Sequence, residues 1–194
     1  MGKDAGKEVR AGLAARVALP VVAIAAMLAL AAPASADRVT GGKTVLTPDD
    51  DTFELLADSS VGIEATGAAK ENKNGYAFPI RGGNVKEGPR GSIEHRGGLA
   101  FFTEGGAGDK FSQFTAQIGK RKVKVFAKSD KSEIRFLDLD LDDARIGGSE
   151  GVNLNIKGEA ELAKEAAKVL SADFDVPLRK GDDMGVLKIR AKVG

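Results

Sequence analysis

Cysteine and tryptophan are absent from this chain, Tyr76 is its only tyrosine and His95 its only histidine. Without cysteine there is no disulfide, no thiolate-bound metal and no thiol nucleophile. A lone histidine excludes a His-rich metal site and leaves little for a catalytic triad or an aromatic sugar platform. None of the glycine pairs follows a strand, opens a helix and ends in Lys-Ser/Thr, as a nucleotide loop requires. No Gly-x-Ser-x-Gly elbow occurs. The residue inventory thus argues against an enzyme. An excess of one charge is missing too: the formal net charge is +1. A near-neutral chain has no broad electrostatic reason to seek nucleic acid or anionic lipid.

What is present begins with an export leader. Lys3, Lys7, Arg10 and Arg16 outnumber Asp4 and Glu8, and an apolar segment follows from Val17 to Ala32. Pro33 breaks it, and Ala34-Ser35-Ala36 supplies the small residues that a signal peptidase accepts. The run is short for a bilayer span. Residues 1–36 are therefore read as a signal peptide and 37–194 as one mature domain, secreted or held in the envelope, with no membrane span after cleavage. Removing the leader takes four cations and two acids and leaves the remainder with one net negative charge. That length suits a single domain with a real core.

Asp37 to Gly42 reads as a flexible start and Lys43 to Leu46 as a short strand. Thr47 is placed to cap a helix with Pro48 in its first turn and Phe53, Leu55 and Leu56 on its buried side. Val61 to Ala65 returns as a strand, and Asn72 to Gly75 as a turn. Pro79 puts Tyr76 to Ile80 at an edge or bend. Gly88-Pro89 marks a turn, and Ser92 to Arg96, Gly97-Gly98 and Leu99 to Thr103 read as a hairpin with both glycines at positive φ. Further strands are expected at Phe111 to Ile118, Lys122 to Ala127, Glu133 to Asp140, Val152 to Ile156 and Gly185 to Ala191. One long helix is expected from Ala160 to Phe174. The fold class is α+β, mainly antiparallel β and sandwich-like, with one or two short packed helices.

Two features invite chemistry. Asp138, Asp140 and Asp142 alternate like the start of a calcium loop. Asp143 and Ser149 then stand where glycine and glutamate belong, so the preferred reading is a strand with Leu137, Leu139 and Leu141 inward and the aspartates in water. His95 is in phase with Ile93 and so faces the core, where an imidazole either satisfies a hydrogen bond or orients a cofactor.

From Thr44 onward the order of signatures resembles secreted actinobacterial proteins related to the HtaA domain, known from haem uptake. The resemblance rests on Tyr76-Ala77-Phe78-Pro79-Ile80 with Gly82-Gly83, then Gly91 to Leu99, then Phe136 to Leu139 and the Leu162 to Leu170 segment. It implies a mainly β domain with a few short helices. In haem-binding members a tyrosine in the N-terminal part ligates iron and a histidine near the Gly-rich segment supports it. His95 lies where that histidine is expected, whereas the early helix carries Phe53, Leu55 and Leu56, and Tyr76 belongs to a different motif. Two readings follow from the resemblance. One is an exported interaction domain that keeps the scaffold without the cofactor, its partner an unspecified protein or small molecule. The other is a haem carrier using Tyr76 or His95 as axial ligand.

Overall fold

A computed structural model describes residues 36–86, 90–106, 108–130, 132–141 and 153–194. The leader up to Ser35, the Gly88-Pro89 turn, Asp142, Asp143, Gly147-Gly148 and Val152 lie outside the described residues. In chain order the elements are β1 (Asp37–Thr47), α1 (Asp50–Asp58), β2 (Val61–Thr66), β3 (Lys70–Asn72), β4 (Gly75–Lys86), β5 (Arg90–His95) and β6 (Gly98–Thr103). They continue with β7 (Gly108–Ile118), β8 (Lys122–Lys128), β9 (Glu133–Asp140), β10 (Asn153–Leu162), α2 (Lys164–Phe174) and β11 (Asp183–Val193).

The strands close into a barrel. Going round, β1, β4, β5, β7, β8, β9, β10 and β11 each pair with the next, and β11 pairs back onto β1. Every pairing is antiparallel. The expected sandwich is corrected to this barrel of eight strands with two short helices. Both architectures produce the same inward–outward alternation; what closes the sheet is the bend in its longer strands. Register shifts at Val39/Gly41, Ile80/Gly82, Ser112/Thr115, Val125/Phe126 and Glu159/Glu161 supply it, since each bulge sharpens local twist.

β5 and β6 are not a hairpin. Both run antiparallel to β7 along the same edge, β6 against Gly108 to Ser112 and β5 against Thr115 to Ile118. They form one interrupted strand with a jog at Arg96-Gly97. Gly97 alone of the pair has positive φ, at 84°. Beyond the jog β6 leaves the barrel, takes β2 as its other neighbour and makes a flap. β4 changes partner at the same level: β3 pairs with it up to Ala77 and β5 from Ile80, so Pro79 falls where no ladder donor is needed on that edge.

Three element boundaries also differ from expectation. Asp37 to Gly42 is strand, because β4 and β11 pair with β1 on either side, and Val39 is buried. The cap of α1 is Asp49, not Thr47; its carboxylate accepts from the Thr52 amide at 3.1 Å. The late helix starts only at Lys164, since Ala160 and Leu162 belong to β10 and pair with β9. Ala166, Ala167, Leu170 and Phe174 of α2 are then buried, and Phe174 joins Phe101, Phe111 and Phe136 in an aromatic cluster that reaches Phe114 through Phe136. Around the acidic run, Asp140 is exposed and near Lys122, but Asp138 is buried beneath the Arg135 guanidinium, which neutralises it. Phe136 is the extra residue of the β8–β9 bulge, and this re-aims the side chains beside it.

Candidate functional site

His95 ends β5 opposite Ile80, and its ring enters the barrel with 5% of its surface exposed. Nδ1 lies 3.0 Å from the Phe114 carbonyl oxygen and Nε2 lies 2.7 Å from the Thr44 hydroxyl. A carbonyl can only accept, so Nδ1 carries the proton and donates to Phe114. Nε2 is then the acceptor and receives the Thr44 hydroxyl proton. The ring is neutral, held by three elements, with neither nitrogen left over. Burial pushes its pKa down from 6.5 to about 4, and the Phe114 bond offsets part of that shift.

The Phe114 carbonyl is turned inward by the bulge in β7. Gln113 takes the left-handed conformation there, at φ 51°, and its amide donates to the Gly97 oxygen at 3.3 Å. One local distortion thus fixes both the jog and the acceptor for His95. Thr44 alternates with Leu46 on the inner face of β1, and both are buried. The space left among His95, Thr44, Phe78, Phe114 and Leu187 is a void of about 20 Å³, enough for roughly one water and far too small for a macrocycle.

Tyr76 sits elsewhere, outside the walls of that void. Its ring stacks on Phe53 of α1 with centroids 6.2 Å apart, and its hydroxyl donates to the Ile63 oxygen at 3.3 Å. Burial, then the nearby Glu71 carboxylate, raises its pKa to about 12. Tyr76 ties α1 and β2 to β4 and stays a neutral phenol. The structure does not join the two candidate ligands into one site. As arranged, the inner face fits a packed core and not haem.

Outside His95 lies an open groove of about 460 Å³ between Arg81 and Glu94 on one side and Gln113, Lys128 and Glu133 on the other. Its charges are mixed, with Arg81 and Glu94 at 4.0 Å. His95 separates this groove from the void. Gln113 and Thr44 were not singled out in the sequence. Thr44 could have been found as the polar residue in phase with Leu46, whereas a carbonyl acceptor leaves no signature in side-chain identity. Among the described residues no cluster of His, Cys, Asp and Glu could hold a metal. No described helix is long and apolar enough to cross a membrane.

No family model matches the sequence, and no curated protein is significantly similar to it. Solved structures are similar in fold. The C-terminal domain of HtaA from Corynebacterium glutamicum superposes with a TM-score of 0.66 at 12% identity, covering 82% of this chain and 100% of that one. The N-terminal domain of the same protein gives 0.58 at 12%, over 78% and 97%. The haem-binding protein HtaB of that organism gives 0.58 at 11%, over 82% and 96%. The resemblance read from the sequence motifs therefore holds at the level of architecture: this chain has an HtaA-like fold.

Proposed function

We propose that this chain is an exported, non-enzymatic binding or interaction domain of the bacterial envelope or extracellular space. In this reading it has the HtaA-like scaffold without a resident cofactor. The observation that supports it best is the Thr44–His95–Phe114 chain of hydrogen bonds, which occupies both imidazole nitrogens inside the barrel. Tyr76 is equally committed, to Phe53 and the Ile63 oxygen. Both residues then serve as internal ties. Support for export is the basic segment, apolar run and Ala34-Ser35-Ala36 at the start of the chain.

A second reading is haem carriage through His95 or Tyr76, favoured by the fold shared with the haem-binding HtaB. It requires Nε2 to release the Thr44 hydroxyl and the interior to open, or Tyr76 to leave the Ile63 oxygen. One preparation tests both points. Protein recovered from the medium or envelope of expressing cells should begin at Asp37, and haem added to it should produce no sharp Soret band. An intact Met1 in that fraction contradicts cleavage after Ala36, and absence of the protein from that fraction contradicts export. A stoichiometric Soret band that disappears in His95→Ala or Tyr76→Phe makes the chain a haem carrier.

A further inference from the structure

The middle of the outer wall formed by β10, β11 and β1 gathers charge of one sign. Lys188, Arg190 and Lys192 alternate along β11 and are exposed. Lys43 of β1 stands opposite Arg190, and Lys157 of β10 stands opposite Lys188. Successive outward residues on a strand are ~7 Å apart and neighbouring strands ~4.8 Å apart. The five cations therefore form a row along β11 with one flanking cation on each side. None has an ion-pair partner among the described residues. The residues facing them across the strands are uncharged, with Asn155 opposite Arg190, Val45 opposite Lys188, and Ala77 and Pro79 on β4, and the acidic neighbour on the same face is Glu159, one outward position beyond Lys157.

Carboxylates on these strands flank the row: Asp37 stands at the start of β1, and at the other end Glu159 lies opposite Val186 and Glu161 opposite Asp183. Beyond them α1 presents Asp50, Asp51, Glu54 and Asp58 with no basic residue in its last turn. The near-neutral total thus hides a separation into a cationic wall and an acidic end. The wall is also hollowed. A depression of about 430 Å³ is bounded by Lys43, Lys157, Lys188 and Arg190, with Asn74 of the β3–β4 turn at its rim.

The geometry points to a track for an extended phosphate-bearing polymer without bases, a polyol- or sugar-phosphate chain, laid along β11. Three features select that occupant. Repeating cations match repeating phosphates, and the Arg190 fork with flanking lysines can grip oxygens from both sides. No aromatic ring lies among the residues of the hollow, so single-stranded nucleic acid would gain no stacking there. A concave hollow meets a flat lipid surface poorly but admits a chain. The acidic end sets where the polymer stops.

Titration of purified protein with long-chain inorganic polyphosphate tests the track, beside a single-stranded oligonucleotide and phosphatidylglycerol vesicles at equal phosphate concentration. Polyphosphate should bind in a salt-dependent way, with a slope of ~0.7 per phosphate neutralised. The double reversal Lys188→Glu/Arg190→Glu should weaken binding at least about tenfold. Lys164→Glu/Lys168→Glu on the exposed face of α2 makes the same change in net charge and should shift affinity by no more than about twofold. Should the first variant fail to fold, Lys43→Glu/Lys157→Glu tests the same track from its flanks. Absence of polyphosphate binding, equal loss in the wall and helix variants, or tighter binding to the oligonucleotide or vesicles than to polyphosphate would each overturn the assignment.

Discussion

At the scale of single residues, His95 makes a quantitative demand on stability. Unfolded, its imidazole titrates near 6.5; folded, it titrates at about 4. Above pH 6.5 neither state carries the proton and the contribution is fully present. As pH falls through the interval from 6.5 to 4, the unfolded chain takes up a proton that the buried ring refuses, so stability declines. Below the folded pKa both states are protonated and the loss is complete, at about 3 kcal/mol. Carboxylates also contribute to acid unfolding, but they are common to wild type and variant. Urea melts of wild type and His95→Gln at pH 7 and pH 4.5 isolate the histidine. The wild-type advantage should narrow by roughly 2–3 kcal/mol between those conditions. A difference independent of pH contradicts the buried neutral ring.

At the scale of elements, the jog between β5 and β6 decides where the barrel ends and the flap begins. Gly97 and Gly181 have nearly the same φ, 84° and 91°, yet a Cβ on Gly97 would lie 2.2 Å from the Ala69 amide nitrogen while one on Gly181 meets nothing within 4 Å. Gly181→Ala should cost about 1 kcal/mol for its backbone conformation alone. Gly97→Ala adds the clash and should cost at least about 2 kcal/mol, read as a difference in unfolding midpoints. Equal losses would show that the Thr66–Ala69 turn yields freely. The same jog explains what sequence could and could not reveal. The alternation of Ile93 with His95 and of Leu99 with Phe101 correctly predicted strands and a buried imidazole. Two short strands around Gly97-Gly98 look alike whether they fold back on each other or continue side by side against β7. Only the long-range partner distinguishes them, and side-chain periodicity carries no information about partners. Ala160 and Leu162 misled for a related reason: their spacing suits a helix, but pairing with β9 overrides propensity.

At the scale of the whole molecule, eight strands enclose a core in which the one histidine is a buried polar group with both ring nitrogens hydrogen-bonded. The family resemblance was legible in the order of short motifs, and the barrel was not, because closure depends on bulges that sequence does not announce. The charged wall was equally hidden: a net charge of +1 describes a sum, while recognition depends on where the charges stand. The proposed cofactor-free reading requires that the barrel close around His95 with both ring nitrogens engaged inside it. Since the chain has a single histidine, its imidazole ¹⁵N resonances need no assignment and can be followed by NMR from pH 8 to pH 3.5. A ring buried as described should show one neutral tautomer protonated at Nδ1, unchanged through pH 5 and titrating at about 4. A ring in tautomeric exchange that titrates near 6.5, or one protonated at Nε2 with Nδ1 free, would contradict it.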